Sequence, residues 1–146
     1  MKRYWYKFRV KYGKPLDTGK NKKVSEEYLV DAESFTETEK RATKAATELI
    51  GTRDFDITAI SREPITEILK EDENEGNHWY KTVVSLVTED EDTGIKKFSP
   101  QTIYVNAPST KEADRILRQH MSSSVTEWEI KSIAETKVLG VLGYKQ

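Results

Sequence analysis

The chain has no cysteine, and that absence removes several chemistries at once. Without thiols there is no disulfide framework, no thiolate-held metal and no cysteine nucleophile. Histidine is nearly as scarce: His78 and His120 are the two present, too few for a histidine-rich metal site. Apolar runs are too short to span a bilayer. Met1-Lys2-Arg3 is basic, but Tyr4 to Lys11 alternates charge with aromatics and holds no apolar stretch of a secretion signal. A cytoplasmic protein is the expectation, in keeping with the lack of cysteine.

Glycine-rich phosphate loops are missing as well. Gly140 and Gly143 are separated by Val141-Leu142 and follow no strand-to-helix switch. There is no G-x-S-x-G, and Ser122, Ser123 and Ser124 read as a polar loop. His120 lies near them, late in a helical segment, with no third group to orient it as a base. The carboxylates at 71–75 and 89–92 lack the spacing and glycine of a calcium loop. The expectation is a non-catalytic protein with no metal or cofactor.

What is present is charge. Charged residues make up 34% of the 146-residue chain against 36% hydrophobic, enough for a modest core under a dense ionic surface. The net charge of −1 hides an asymmetry, because residues 1–23 hold nine Lys and Arg against Asp17 alone. That is a balance of +8, which leaves −9 for the remainder. Such polarity suits one face for a polyanion and another that repels it; the plain alternative is a solvated surface.

The chain resembles itself at a nearly fixed offset. Trp5-Tyr6-Lys7 recurs as Trp79-Tyr80-Lys81, Asp17-Thr18-Gly19 as Asp92-Thr93-Gly94, and Lys22-Lys23-Val24-Ser25 as Lys96-Lys97-Phe98-Ser99. Leu29-Val30-Asp31-Ala32 recurs as Tyr104-Val105-Asn106-Ala107, and Phe55-Asp56-Ile57 as Trp128-Glu129-Ile130. The order is kept across the unit. The reading is a tandem duplication, with a first repeat at 1–69, an acidic glycine-containing linker at 70–77 and a second repeat at 78–146.

The unit reads as β-β-α-β plus a tail, an α+β class. Residues 4–12 alternate with period two, Tyr4, Tyr6, Phe8, Val10 and Tyr12 on one face and Trp5, Lys7, Arg9 and Lys11 on the other. Asp-Thr-Gly supplies a turn, and a second strand follows at about 23–32. Ser34 and Glu37 form a capping box, matched by Ser109 and Glu112. The helical stripes are Ala42, Ala45, Ala46 and Leu49, then Ala113, Ile116, Leu117 and Met121, with Gly51 as a stop. Third strands are expected at about 54–62 and 127–135. The tails Ile65, Ile68, Leu69 and Val138, Val141, Leu142 have helix-like spacing and suggest a helical turn, with a short strand as the alternative. So short a unit is marginal alone, so the two repeats are expected to pack as one pseudo-symmetric body with strands in a sheet and helices on one side.

The N-terminal W-Y-K strand, the Y-L-V-D-A-x-S-F-T-E-x-E stretch and the ending Ile130 to Thr136 resemble an uncharacterised family of small proteins from gut-type bacteria and their bacteriophages. The resemblance spans nearly the whole chain. It implies a phage or mobile-element origin, and so a host cytoplasm, but no chemistry.

The remaining signal is the basic, aromatic first strand. Arg3, Trp5, Lys7, Arg9 and Lys11 share a face, continued by Lys14, Lys20, Lys22 and Lys23 around the hairpin. Cations along a strand with an aromatic among them suit the phosphates and unstacked bases of single-stranded DNA. In the second repeat Val83 and Ser85 replace Arg9 and Lys11, and Trp79, Val83 and Val87 make a more apolar face suited to a homodimer. The leading expectation is a nucleic-acid-binding protein. The alternative is an adaptor or inhibitor that grips a host or phage protein.

Overall fold

The computed structural model describes residues 3–51, 54–70 and 77–143. Its elements are β1 (Tyr4–Pro15), β2 (Asn21–Ala32), α1 (Phe35–Ile50), β3 (Phe55–Glu63), β4 (Glu67–Lys70), β5 (His78–Glu89), β6 (Lys96–Ala107), α2 (Thr110–Met121), β7 (Glu127–Glu135) and β8 (Val138–Leu142). The class is mixed α+β, mostly strand. Among the described residues, no helix is long and apolar enough to cross a membrane.

The strands form two four-stranded sheets, ordered β3-β1-β2-β8 and β4-β6-β5-β7, rather than the expected one. Correspondingly the chain divides into two compact units, Met1–Pro64 with Lys137–Gln146 (unit 1) and Ile65–Thr136 (unit 2). In each unit a long hairpin forms the centre, since alternating apolar residues and a turn glycine at positive φ favour antiparallel pairing. Gly19 has φ 83° and Gly94 φ 71°, the left-handed region that glycine enters without penalty.

The tails overturn the helical expectation. Both are strands, and each pairs in parallel with a hairpin from the other half of the sequence: β4 with β6, β8 with β2. Periodicity over five residues discriminates poorly, and the open hairpin edge decides the conformation. The backbone polar groups of the tail and of the edge then satisfy one another. The acidic segment between the repeats falls at 71–76, outside the described residues, while Lys70 ends β4.

Each helix starts where the capping boxes predict. Ser34 Oγ accepts from Glu37 N at 3.1 Å, and Ser109 Oγ from Glu112 N at 3.2 Å. Such a cap contributes about 1 kcal/mol. Glu37 Oε2 reaches back to Glu33 N, one residue before the cap. Gly51 closes α1 at φ 78°, its N–H donating to Thr47 O.

The two cores differ in bulk. In unit 1, Tyr6, Phe8 and Val10 of β1 pack with Tyr28 and Val30 against Ala42 and Ala46 of α1. Leu49, expected on that stripe, is exposed, and Ile50 packs there instead, since the buried line runs Thr38, Ala42, Ala46. In unit 2, Tyr80, Val84, Ile103 and Val105 meet Ala113, Ile116, Leu117 and Met121, the whole expected stripe.

Candidate nucleic-acid interface

The period of β1 turns Tyr6, Phe8 and Val10 into the core and leaves Trp5, Lys7, Arg9 and Lys11 on the opposite face. Register then fixes what those cations meet. Trp5 lies between Asp31 of β2 and Glu63 of β3, and Arg9 lies between Glu27 and Ala59. Arg9 Nη2 is 3.3 Å from Glu27 Oε1, and Lys7 Nζ is 3.4 Å from Glu63 and 3.9 Å from Glu27. Half of the strand's positive charge is therefore answered by carboxylates on its neighbours. Trp5 is partly buried, not a free stacking platform.

Arg3 is held more firmly. Its guanidinium contacts Asp31 at 3.3 Å, Glu37 at 3.1 Å and Glu33 at 3.7 Å. Although desolvation works against its charge, the carboxylates of Asp31 and Glu37 raise its pKa above the ordinary value. Asp31 also takes Arg41 of α1, through Oδ1 at 3.2 Å and through its backbone carbonyl. Arg41 Nη2 in turn donates to Gly143 O at 3.2 Å, just beyond β8. Arg3 thus belongs to a lattice of charge that ties β2, α1 and the incoming β8 together, a structural task.

The hairpin tip is different. β3 pairs with β1 only as far as Tyr12, and β8 pairs with β2 only over Glu27–Val30. Residues 13–26 therefore form a two-stranded arm paired only with itself. Residues 13–23 are all exposed, as is Lys11. Lys11, Lys14, Lys20, Lys22 and Lys23 have no ion pair among the described residues. Against Asp17 and Glu26, the four of these lysines within residues 13–26 give the arm a balance of +2. Lys14 lies directly opposite Lys22 in the ladder. Like charges facing across strands repel, and the pairing is tolerated only in high dielectric or with an anion between them.

The base of the arm is braced. Tyr28 Oη donates to Glu26 at 3.2 Å. Burial first, and then the charge of Glu26, push the Tyr28 phenol well above its usual range, and the same causes raise Tyr12. Both phenols stay protonated at neutral pH, so the arm's root holds one carboxylate with hydroxyl donors.

In unit 2 the equivalent arm, residues 88–100, is also exposed, but it carries Glu89, Asp90, Glu91 and Asp92 against Lys96 and Lys97, a balance of −2. Here Glu89 faces Lys96, so the ladder pair is complementary. Trp79, expected to line a dimer contact, is 4% exposed within the single chain and is not offered to a second subunit.

The histidines pair with carboxylates: His120 Nε2 is 2.5 Å from Glu67 Oε2 and His78 Nδ1 is 3.1 Å from Glu135. The first joins α2 to β4. Among the described residues, no group of three or more His, Asp or Glu is placed to hold a metal. A shallow cleft of about 690 Å³ between α1 and β3 is lined by Lys40 and Lys44 but also by Glu39, Glu48 and Asp56, with no convergent set of one sign.

What sequence reading missed is the neutralising partners. Glu27 and Asp31 alternate on β2, so their common face was visible; Glu63 required knowledge of the β1–β3 register. No curated protein and no solved structure matches the chain. The family model described as "Domain of unknown function (DUF4494)" matches residues 4–144, and the chain belongs to that family.

Proposed function

We propose that this chain is a non-catalytic nucleic-acid-binding protein whose contact element is the basic β1–β2 arm. The observation that carries the reading is the facing pair Lys14 and Lys22, with Lys11, Lys20 and Lys23 beside it and no carboxylate partner among the described residues. A phosphate between strands relieves that repulsion and releases counterions. Lys7 and Arg9, half of the strand face, contribute less because Glu27 and Glu63 already answer them. With Trp5 partly buried, the expected ligand feature is the phosphate backbone shared by single strands and duplexes; a two-stranded ribbon also has the width to enter a duplex major groove.

The same proposal includes a tandem duplication of a β-β-α-β unit and a phage or mobile-element origin. Support for duplication is positional: the β1–β3 ladder shifts register between Arg9 and Val10, and the β5–β7 ladder between Val83 and Val84. The N-caps share φ −155°.

The test is fluorescence anisotropy of labelled single-stranded and duplex DNA at two salt concentrations. Binding is expected to weaken with salt, and Lys14→Glu/Lys22→Glu to flatten the logarithmic salt slope by about 2. Lys7→Gln/Arg9→Gln is expected to change it little. Tighter binding of one DNA form identifies the ligand. No binding at low salt sinks the reading and directs the search to a protein partner.

A further inference from the structure

The two arms are the corresponding hairpins of the two units with opposite charge, and both carry exposed apolar side chains, Phe98 lying at the root of its arm with Lys131 Nζ 6.0 Å from its ring centre. Leu16 is 44% exposed on the basic arm; Ile95 and Phe98 are 62% and 58% exposed on the acidic one. On the acidic turn, Asp90 is used internally, its Oδ1 accepting from Asp92 N at 2.8 Å and Thr93 N at 3.0 Å. Glu91 and Asp92 side chains have no ion pair among the described residues. One arm therefore presents unanswered cations around a leucine, the other unanswered anions beside an isoleucine and a phenylalanine. The chain as a whole is near neutral, at −1, so long-range repulsion between copies is weak.

We infer that the acidic arm of one copy docks on the basic arm of a second copy. Glu91 and Asp92 meet Lys14 and Lys22, and Leu16 is covered by Ile95 and Phe98. The occupant is a second copy of this chain because it carries both complements, one on each of its two corresponding hairpins: the cations on the strands of the basic arm, the anions in the turn of the acidic one. The contact is heterologous, so association either closes on two copies or continues as a string. It is electrostatic at its core and weakens with salt.

The experiment is sedimentation velocity of the intact chain, without nucleic acid, across micromolar to near-millimolar concentration, at about 20 mM and about 500 mM salt. The average mass is expected to rise with concentration at low salt and to return to that of one chain at high salt. Lys14→Glu/Lys22→Glu leaves both arms acidic, and Glu91→Lys/Asp92→Lys leaves both basic. Each variant is expected to stay monomeric alone, and an equimolar mixture to associate again. All four sites are exposed, so circular dichroism should show wild-type folding. A wild-type chain that stays monomeric at low salt, variants that associate alone, or a mixture that stays monomeric each overturn the inference. Because nucleic acid is left out, the outcome stands apart from the binding assay above.

Discussion

Units 1 and 2 share strand order, helix caps and the position of a register shift, yet they differ where the chain meets solvent and where the helix meets the sheet. The arms differ in sign, +2 over residues 13–26 and −2 over residues 88–100. The helices differ in volume. Eight residues after the cap, α1 has Ala42 where α2 has Leu117, and four further on Ala46 stands where Met121 does. Seven after the cap, Arg41 takes the place of Ile116, and the Arg41–Asp31–Arg3 lattice stands where unit 2 has an Asn77–Asn106 hydrogen bond of 2.9 Å. Unit 1 trades apolar bulk for ion pairs at its helix. A solvated arm accepts either sign of charge at little cost to the fold, whereas a helix face must be matched to its sheet in volume.

The largest effect is expected from breaking that match. Leu117→Ala empties a site that is fully buried, and should cost about 2–5 kcal/mol in urea denaturation. Ala42→Leu, the reverse change in unit 1, overfills a fully buried site and should cost about 1–3 kcal/mol. If Ala42→Leu instead stabilises the chain, the smaller helix face of unit 1 leaves unfilled space.

A smaller loss should follow from the tail that completes unit 1. A Cβ at Gly140 would lie 3.3 Å from Tyr28 Cδ1, and that ring is tethered through its hydroxyl to Glu26. Gly140→Val should cost about 1–3 kcal/mol. Gly143→Ala meets nothing within 4 Å and serves as the neutral control. Equal melting temperatures for the two variants would show that β8 does not press on Tyr28.

The smallest effect is confined to the acidic turn. Backbone N–H groups of Thr93 and Asp92 hold the Asp90 carboxyl below its ordinary value of 3.8. A folded value below the unfolded one means the ionised form favours the fold. The turn's support is thus complete above 3.8 and fades as the pH falls through the lower, folded value. In a nuclear magnetic resonance titration, the amides of Asp92 and Thr93 should report a midpoint below 3.8. A midpoint at or above it would mean that the turn bonds do not form.

Much of the fold was legible because its signals are local. Period-two alternation marked β1, the Ser34 and Ser109 caps marked the helix starts, and the turn glycines marked the hairpins. The tails were not legible, because four or five residues carry no decisive period and their partners lie far along the chain. Leu49 was misassigned by one helical position, since Thr38 rather than Ala45 continues the buried line. At the candidate interface, composition located the cations and alternation gave their face. Which of them are free depends on ladder register: Arg9 meets Glu27, whereas Lys14 meets Lys22.

The parallel pairing of β8 with β2 also has a temporal meaning. Glu27 pairs with Val138, roughly 110 residues later. At about 5–20 residues per second, translation separates the two by on the order of ten seconds. Through that interval the outer edge of β2 has been made and its partner has not. An open strand edge is a template for wrong pairing, and such distant contacts are slow to close even in the finished chain. The first half of this protein is therefore most vulnerable while it is still on the ribosome.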